Sequence, residues 1–135
     1  MLLVFLLPVA EPVYAFGWED LWKTKDQQAR DLLERGEARD AAALFEDARW
    51  RAVANYRGGE YAGSAAGFGT QEDVDSLYNL GNALARMGEF ESAIDAYEAV
   101  LEIDPESEDA MYNRDLLKEL LQQSQDSQGL SLIHI

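Results

Sequence analysis

The chain has 135 residues, enough for one domain of modest core, and 47% of them are hydrophobic, as in a globular body rather than a disordered one. It has no cysteine, which excludes disulfide frameworks, thiol nucleophiles and cysteine metal sites. Against 26 Asp and Glu stand 11 Lys and Arg, and the net charge of −15 repels nucleic acid and anionic lipid headgroups. That charge favours a basic partner or simply keeps an alanine-rich helical protein soluble.

Residues 1–15 begin with an apolar run, MLLVFLLPVA, shorter than the ~20 residues needed to cross a bilayer. No basic residue precedes it, although Val13-Tyr14-Ala15 resembles a small-residue cleavage site. Two readings stand: the end of a transmembrane helix, or the remnant of a signal peptide. The first is favoured because Tyr14, Phe16, Trp18 and Trp22 suit a membrane–water interface. No basic residue appears before Lys23, which points to a chain emerging outside the cytoplasm.

Residues 16–123 carry a ten-residue signature three times: Gly36 to Phe45, Gly59 to Phe68 and Gly88 to Tyr97. Each has Gly-Glu, a small residue five after the Gly and an aromatic nine after it. The spacing predicts three helical hairpins, with first helices over Gln27–Arg35, Ala48–Arg57 and Asp75–Met87. In the third, Leu77, Leu80, Leu84 and Met87 recur at helical spacing as one apolar stripe. Gly88 ends that helix, and a second helix over Glu91–Ile103 stops before Pro105. Gly81 is read as the point where the two helices cross, with Ala93 as its small partner. Ile94, Tyr97 and Leu101 are expected to fill the gap to the next unit. The signature glycines lie closer together than a full repeat requires, so the first two hairpins are expected to have clipped helices. A last helix, Glu108 to about Gln123, is expected to cap the stack through Met111, Leu116, Leu117 and Leu120.

Val74 to Pro105 resembles a complete tetratricopeptide (TPR) repeat. The residues that carry the resemblance are Leu77, Leu80, Gly81, Leu84, Gly88, Ala93, Tyr97 and Pro105. The expected fold is therefore all-α: a stack of about three TPR helix-turn-helix hairpins, the first two degenerate, with a C-terminal capping helix. Residues 124–135 form a polar tail that ends abruptly in the apolar hexapeptide LSLIHI, which looks like a translated sequencing adapter. The only histidine, His134, lies there, so no catalytic or metal reading is built on it.

No nucleophile system or phosphate-cradling motif is present, and the Glu106/Glu108/Asp109 cluster lacks the spacing of a calcium loop. Catalytic residues, metals and cofactors are therefore not expected. Partner binding is expected on the first-helix face of Asp75, Tyr78, Asn79, Asn82 and Arg86, continued by Tyr112 and Asn113. Asn79 and Asn82 stand at positions like those of a carboxylate clamp, but Tyr78 stands where such a clamp needs Lys.

The order Trp18-Glu-Asp-Leu-Trp22, Asp26-Gln-Gln28, Arg49-Trp-Arg51, Val53 to Arg57 and Tyr78 to Ala85 is similar to a family portion. That portion is the C-terminal TPR segment of bacterial von Willebrand factor A/TPR membrane proteins of Bat-type (aerotolerance) operons, over about Phe16 to Gln123. The resemblance implies an inner-membrane protein with a periplasmic TPR part that acts as a protein-interaction scaffold. It also implies sibling Bat-type proteins as partners and, indirectly, a MoxR-type ATPase. A freestanding exported adaptor in envelope assembly, or a module that packs only on its own chain, remains the alternative.

Overall fold

The computed structural model describes residues 21–133, with side chains to residue 128. The apolar segment, Trp18 and His134 lie outside the described residues. Seven helices follow one another: α1 (Lys25–Glu34), α2 (Ala38–Leu44), α3 (Ala48–Arg57), α4 (Tyr61–Phe68), α5 (Val74–Met87), α6 (Phe90–Ile103) and α7 (Glu108–Ile133). The architecture is the expected all-α hairpin stack: α1/α2, α3/α4 and α5/α6, with α7 laid against α6. The main contacts run between helices adjacent in the chain, from α1 with α2 through to α6 with α7. No helix among the described residues is long and apolar enough to cross a membrane.

Each hairpin turns on the same device. Gly36, Gly59 and Gly88 have φ near +80°, and the amide of the following Glu donates back into the preceding helix. Glu37 donates to the Leu32 carbonyl, Glu60 to Asn55 and Glu89 to Leu84, at 2.8–3.0 Å. This left-handed C-terminal turn satisfies carbonyls that the helix end leaves open, and glycine adopts it without strain. The first helices also start alike: Thr24, Asp47 and Asp73 each accept a hydrogen bond from the third backbone amide of the helix they cap.

With these glycines aligned, three equivalent layers fall out. Seven residues before each glycine stand Ala29, Ala52 and Gly81; five after stand Ala41, Ser64 and Ala93; nine after stand Phe45, Phe68 and Tyr97. The five-after and nine-after residues are at most 2% exposed. Small side chains let the two helices approach, and the aromatic fills the space beside their crossing. The clipping is as expected: α1 and α3 span ten residues and α2 and α4 seven and eight, against 14 each for α5 and α6. The first hairpin's core is mostly alanine, with Leu33 and Phe45. The third gathers Ile94, Tyr97, Val100 and Leu117, with Leu77 and Leu84 packed on them.

Gly81 lies under the Tyr97 ring: a Cβ there would stand 2.6 Å from Tyr97 Cε1. Tyr97 thus packs on its own hairpin and, as expected, also shares a core cluster with Ala110 and Leu117 of α7. The structure corrects three other packing expectations. Met87, at the end of the apolar stripe, is 42% exposed. In α7, Ala110 and Leu117 are buried with Leu121 beside them, while Leu116 and Leu120 are exposed. Residues 110, 117 and 121 share a helix face, and 116 and 120 lie about 100° from 117 and 121. Finally, α7 runs past Gln123, supported by Gln123–Glu119 and Gln122–Asp126 pairs four residues apart.

Candidate functional site

The first helices of the hairpins meet through side chains on one face. Arg30 of α1 lies over the Trp50 ring of α3, 5.0 Å from its centroid, and Trp50 in turn stacks on Phe45 at 6.1 Å. Between α3 and α5 runs an open groove of about 440 Å³, lined by Arg49, Trp50, Val53, Asp75, Tyr78 and Asn79 among others, with Phe68 at its floor. A second recess of about 220 Å³ shares Val53, Phe68 and Asn79 with it and adds Tyr56 and Arg57. From α5 to α7 the link is a hydrogen bond, in which the Asn113 amide donates to the Tyr78 hydroxyl at 3.1 Å.

The polar groups of this face are held from behind. Tyr97 is the only one of the three layer aromatics with a hydroxyl, and burying a hydroxyl without a partner is costly. It donates to Asn82 Oδ1 at 2.7 Å, and its ring lies 5.8 Å from that of Tyr78. Burial, with the Tyr78 and Tyr56 phenols adding, pushes the Tyr97 phenol up to about 12. The bond fixes the orientation of the Asn82 amide and leaves its two N–H donors without a partner among the described residues. Asn79 makes no side-chain hydrogen bond among the described residues. At the start of α5, Asp73 caps the helix through Ser76 and pairs with Arg49 at 2.6 Å. Hydrogen bonding from Ser76, with Arg49 helping, holds its carboxyl below the usual range.

Of the expected partner-binding residues, the structure therefore brings Asp75, Tyr78 and Asn79 to one groove. Asn82, Tyr78 and Asn113 form the network behind and beside it. Arg86 lies over the Tyr61 ring at 4.8 Å, and Tyr112 is 68% exposed on α7. Sequence reasoning missed the opposite wall: Trp50, Val53, Tyr56 and Arg57 of α3. The signal was available, since six residues before the aligned glycines stand Arg30, Val53 and Asn82, and two before stand Glu34, Arg57 and Arg86. The arrangement can grip an extended chain with amide donors, a phenol and aromatic surface. Residues 74–107 match the family model of the tetratricopeptide repeat. No curated protein matches the chain significantly.

Proposed function

We propose that this chain is a protein-docking scaffold without turnover, binding an extended partner segment along the inner faces of α1, α3, α5 and α7. One observation carries the reading: the α3–α5 groove, whose Asn79 amide and Tyr78 phenol keep hydrogen-bonding capacity beside aromatic surface, with the Asn82 amide held next to it. A peptide backbone offers one donor and one acceptor per residue, and preoriented side-chain amides match that pattern with little ordering cost.

The finer reading makes the array the periplasmic part of a membrane-anchored von Willebrand A/TPR protein of Bat type. Sibling Bat-type proteins would be its partners, with a MoxR-type ATPase further along. The residue order over Phe16 to Gln123 supports it. Protease accessibility of the array in spheroplasts tests which side of the membrane it occupies.

The competing role, packing on the rest of its own chain, is supported by the internal bonds that Asn82 and Tyr78 make. Those bonds make both residues poor probes, because their removal disturbs the core. Asn79→Ala is the cleaner variant. Peptides selected by display against the whole chain should lose roughly tenfold in affinity for Asn79→Ala, with unchanged melting. Failure to select any peptide that shifts α3–α5 amide resonances would sink the docking reading.

A further inference from the structure

The chain has 11 Lys and Arg, all within the described residues, and almost all are spoken for. Seven sit in ion pairs with carboxylates: Lys23, Lys25, Arg35, Arg39, Arg49, Arg114 and Lys118. Arg51 donates to the carbonyls of Phe45 and Glu46. The three that remain are Arg30, Arg57 and Arg86, exposed and without a carboxylate partner among the described residues. Glu34 stands at the α1 position equivalent to Arg57 and Arg86, and Asp75 lines the groove, so the three guanidiniums share this face with two acids. All three belong to the inner helices: Arg57 lines the recess beside the groove, and Arg57 and Arg86 occupy equivalent positions on α3 and α5.

Two of them are also braced. The Arg30 guanidinium carbon lies 5.0 Å from the Trp50 ring centroid and that of Arg86 4.8 Å from the Tyr61 centroid. Stacking on an aromatic ring fixes the guanidinium plane and leaves its edge N–H donors free for a bidentate carboxylate. The repeat period of 34 carries this face on to α7, where Tyr78, Asn82 and Arg86 correspond to Tyr112, Leu116 and Leu120. Those three side chains are 68%, 42% and 42% exposed and form an apolar stripe. The inner face thus changes, between α5 and α7, from one with a small excess of positive charge to an apolar one.

Taking the docking reading as its premise, we infer that the partner segment is extended, acidic along one stretch and aliphatic along the next. The acidic stretch lies across Arg30, Arg57 and Arg86, and the aliphatic side chains lie on Tyr112, Leu116 and Leu120. A spacer of roughly three extended residues, about 10 Å long, separates the two stretches.

The test is fluorescence anisotropy on the whole chain. The labelled probe is Asp-Glu-Asp-Glu-Ser-Gly-Ser-Leu-Ile-Leu, set against versions with the acids changed to amides, the aliphatics changed to Ser, or the acids changed to Lys. The parent probe is expected to bind best, and its binding to weaken as salt rises. Arg57→Gln with Arg86→Gln, and separately Leu116→Gln with Leu120→Gln, should each weaken it roughly tenfold with unchanged melting. Only the arginine pair should flatten the salt dependence. Equal binding to all variants, or tighter binding of the Lys probe, overturns the inference. So does a dimer dissolved by the Leu116/Leu120 pair, because a second copy would then cover the stripe. Display-selected peptides that reach the Asn79 groove but carry no acids also overturn it, while leaving the docking reading intact.

Discussion

Replacing Gly81 by Ala sets two effects of opposite sign against each other. Alanine in a helix interior is favoured over glycine by about 1 kcal/mol. The new Cβ, however, would stand 2.6 Å from Tyr97 Cε1 and 2.9 Å from Cδ1 and Cζ, where carbon atoms normally rest about 3.5–4.0 Å apart. The ring must therefore withdraw by about 1 Å. It is 2% exposed, tied to Asn82 by a 2.7 Å hydrogen bond and packed on Tyr78, so it has little room to yield. Overpacking of this kind costs about 1–3 kcal/mol, and more where the neighbour is anchored. The net expectation for Gly81→Ala is a loss of about 1–2 kcal/mol, or roughly 4–8 °C in Tm for a domain of this size. Urea and thermal unfolding followed by circular dichroism measure it, alone and in a Tyr97→Leu background. Without the ring, Gly81→Ala should become neutral or stabilising, giving a coupling of about 2 kcal/mol. A higher Tm for the single variant, or the same effect in both backgrounds, would refute the reasoning.

Two further predictions concern the same layers. Ser64 is wholly buried and its hydroxyl has no hydrogen-bond partner among the described residues, where the other two hairpins place Ala41 and Ala93. Ser64→Ala should raise the urea midpoint by about 1–2 kcal/mol equivalent, and an unchanged or lower midpoint would show that the hydroxyl is satisfied. The Tyr97 phenol, pushed up to about 12 from its ordinary 10, keeps its proton longer in the folded state than in the unfolded one. Its contribution is therefore full and flat below pH 10 and is lost between pH 10 and about 12, with a slope of up to ~1.4 kcal/mol per pH unit. Tyr97→Phe should remove that step from the stability profile, and a step of equal size in the variant would assign it to another group.

The hairpins were legible because their signals are local. A glycine that must take positive φ, a small residue at a helix crossing and an aromatic at a fixed offset can all be read along the chain. α3 was placed at its observed bounds, Ala48–Arg57, because the turn glycines fix the register on both sides. Contacts across the crossing were not legible: sequence offers Ala93 and Tyr97 equally as neighbours of Gly81, and only three-dimensional geometry puts the ring there. The expected site covered one wall of the groove because the complete repeat supplied its residues. The α3 wall, with Trp50 and Val53, belongs to a degenerate repeat whose polar pattern differs. In α7, four leucines crowd two adjacent faces, so spacing alone does not tell the buried Leu117 from the exposed Leu116.

The wiring of the stack, each helix packed chiefly on the helices before and after it, makes the molecule a set of links in series. A pull along the series is carried by every junction in turn, and none shields another. The alanine-lined first hairpin offers the least apolar area and should open first, and the third, closed around Ile94, Tyr97 and Val100, last. A segment lying across several inner helices ties those links together from the side, so an occupied array should be stiffer than an empty one.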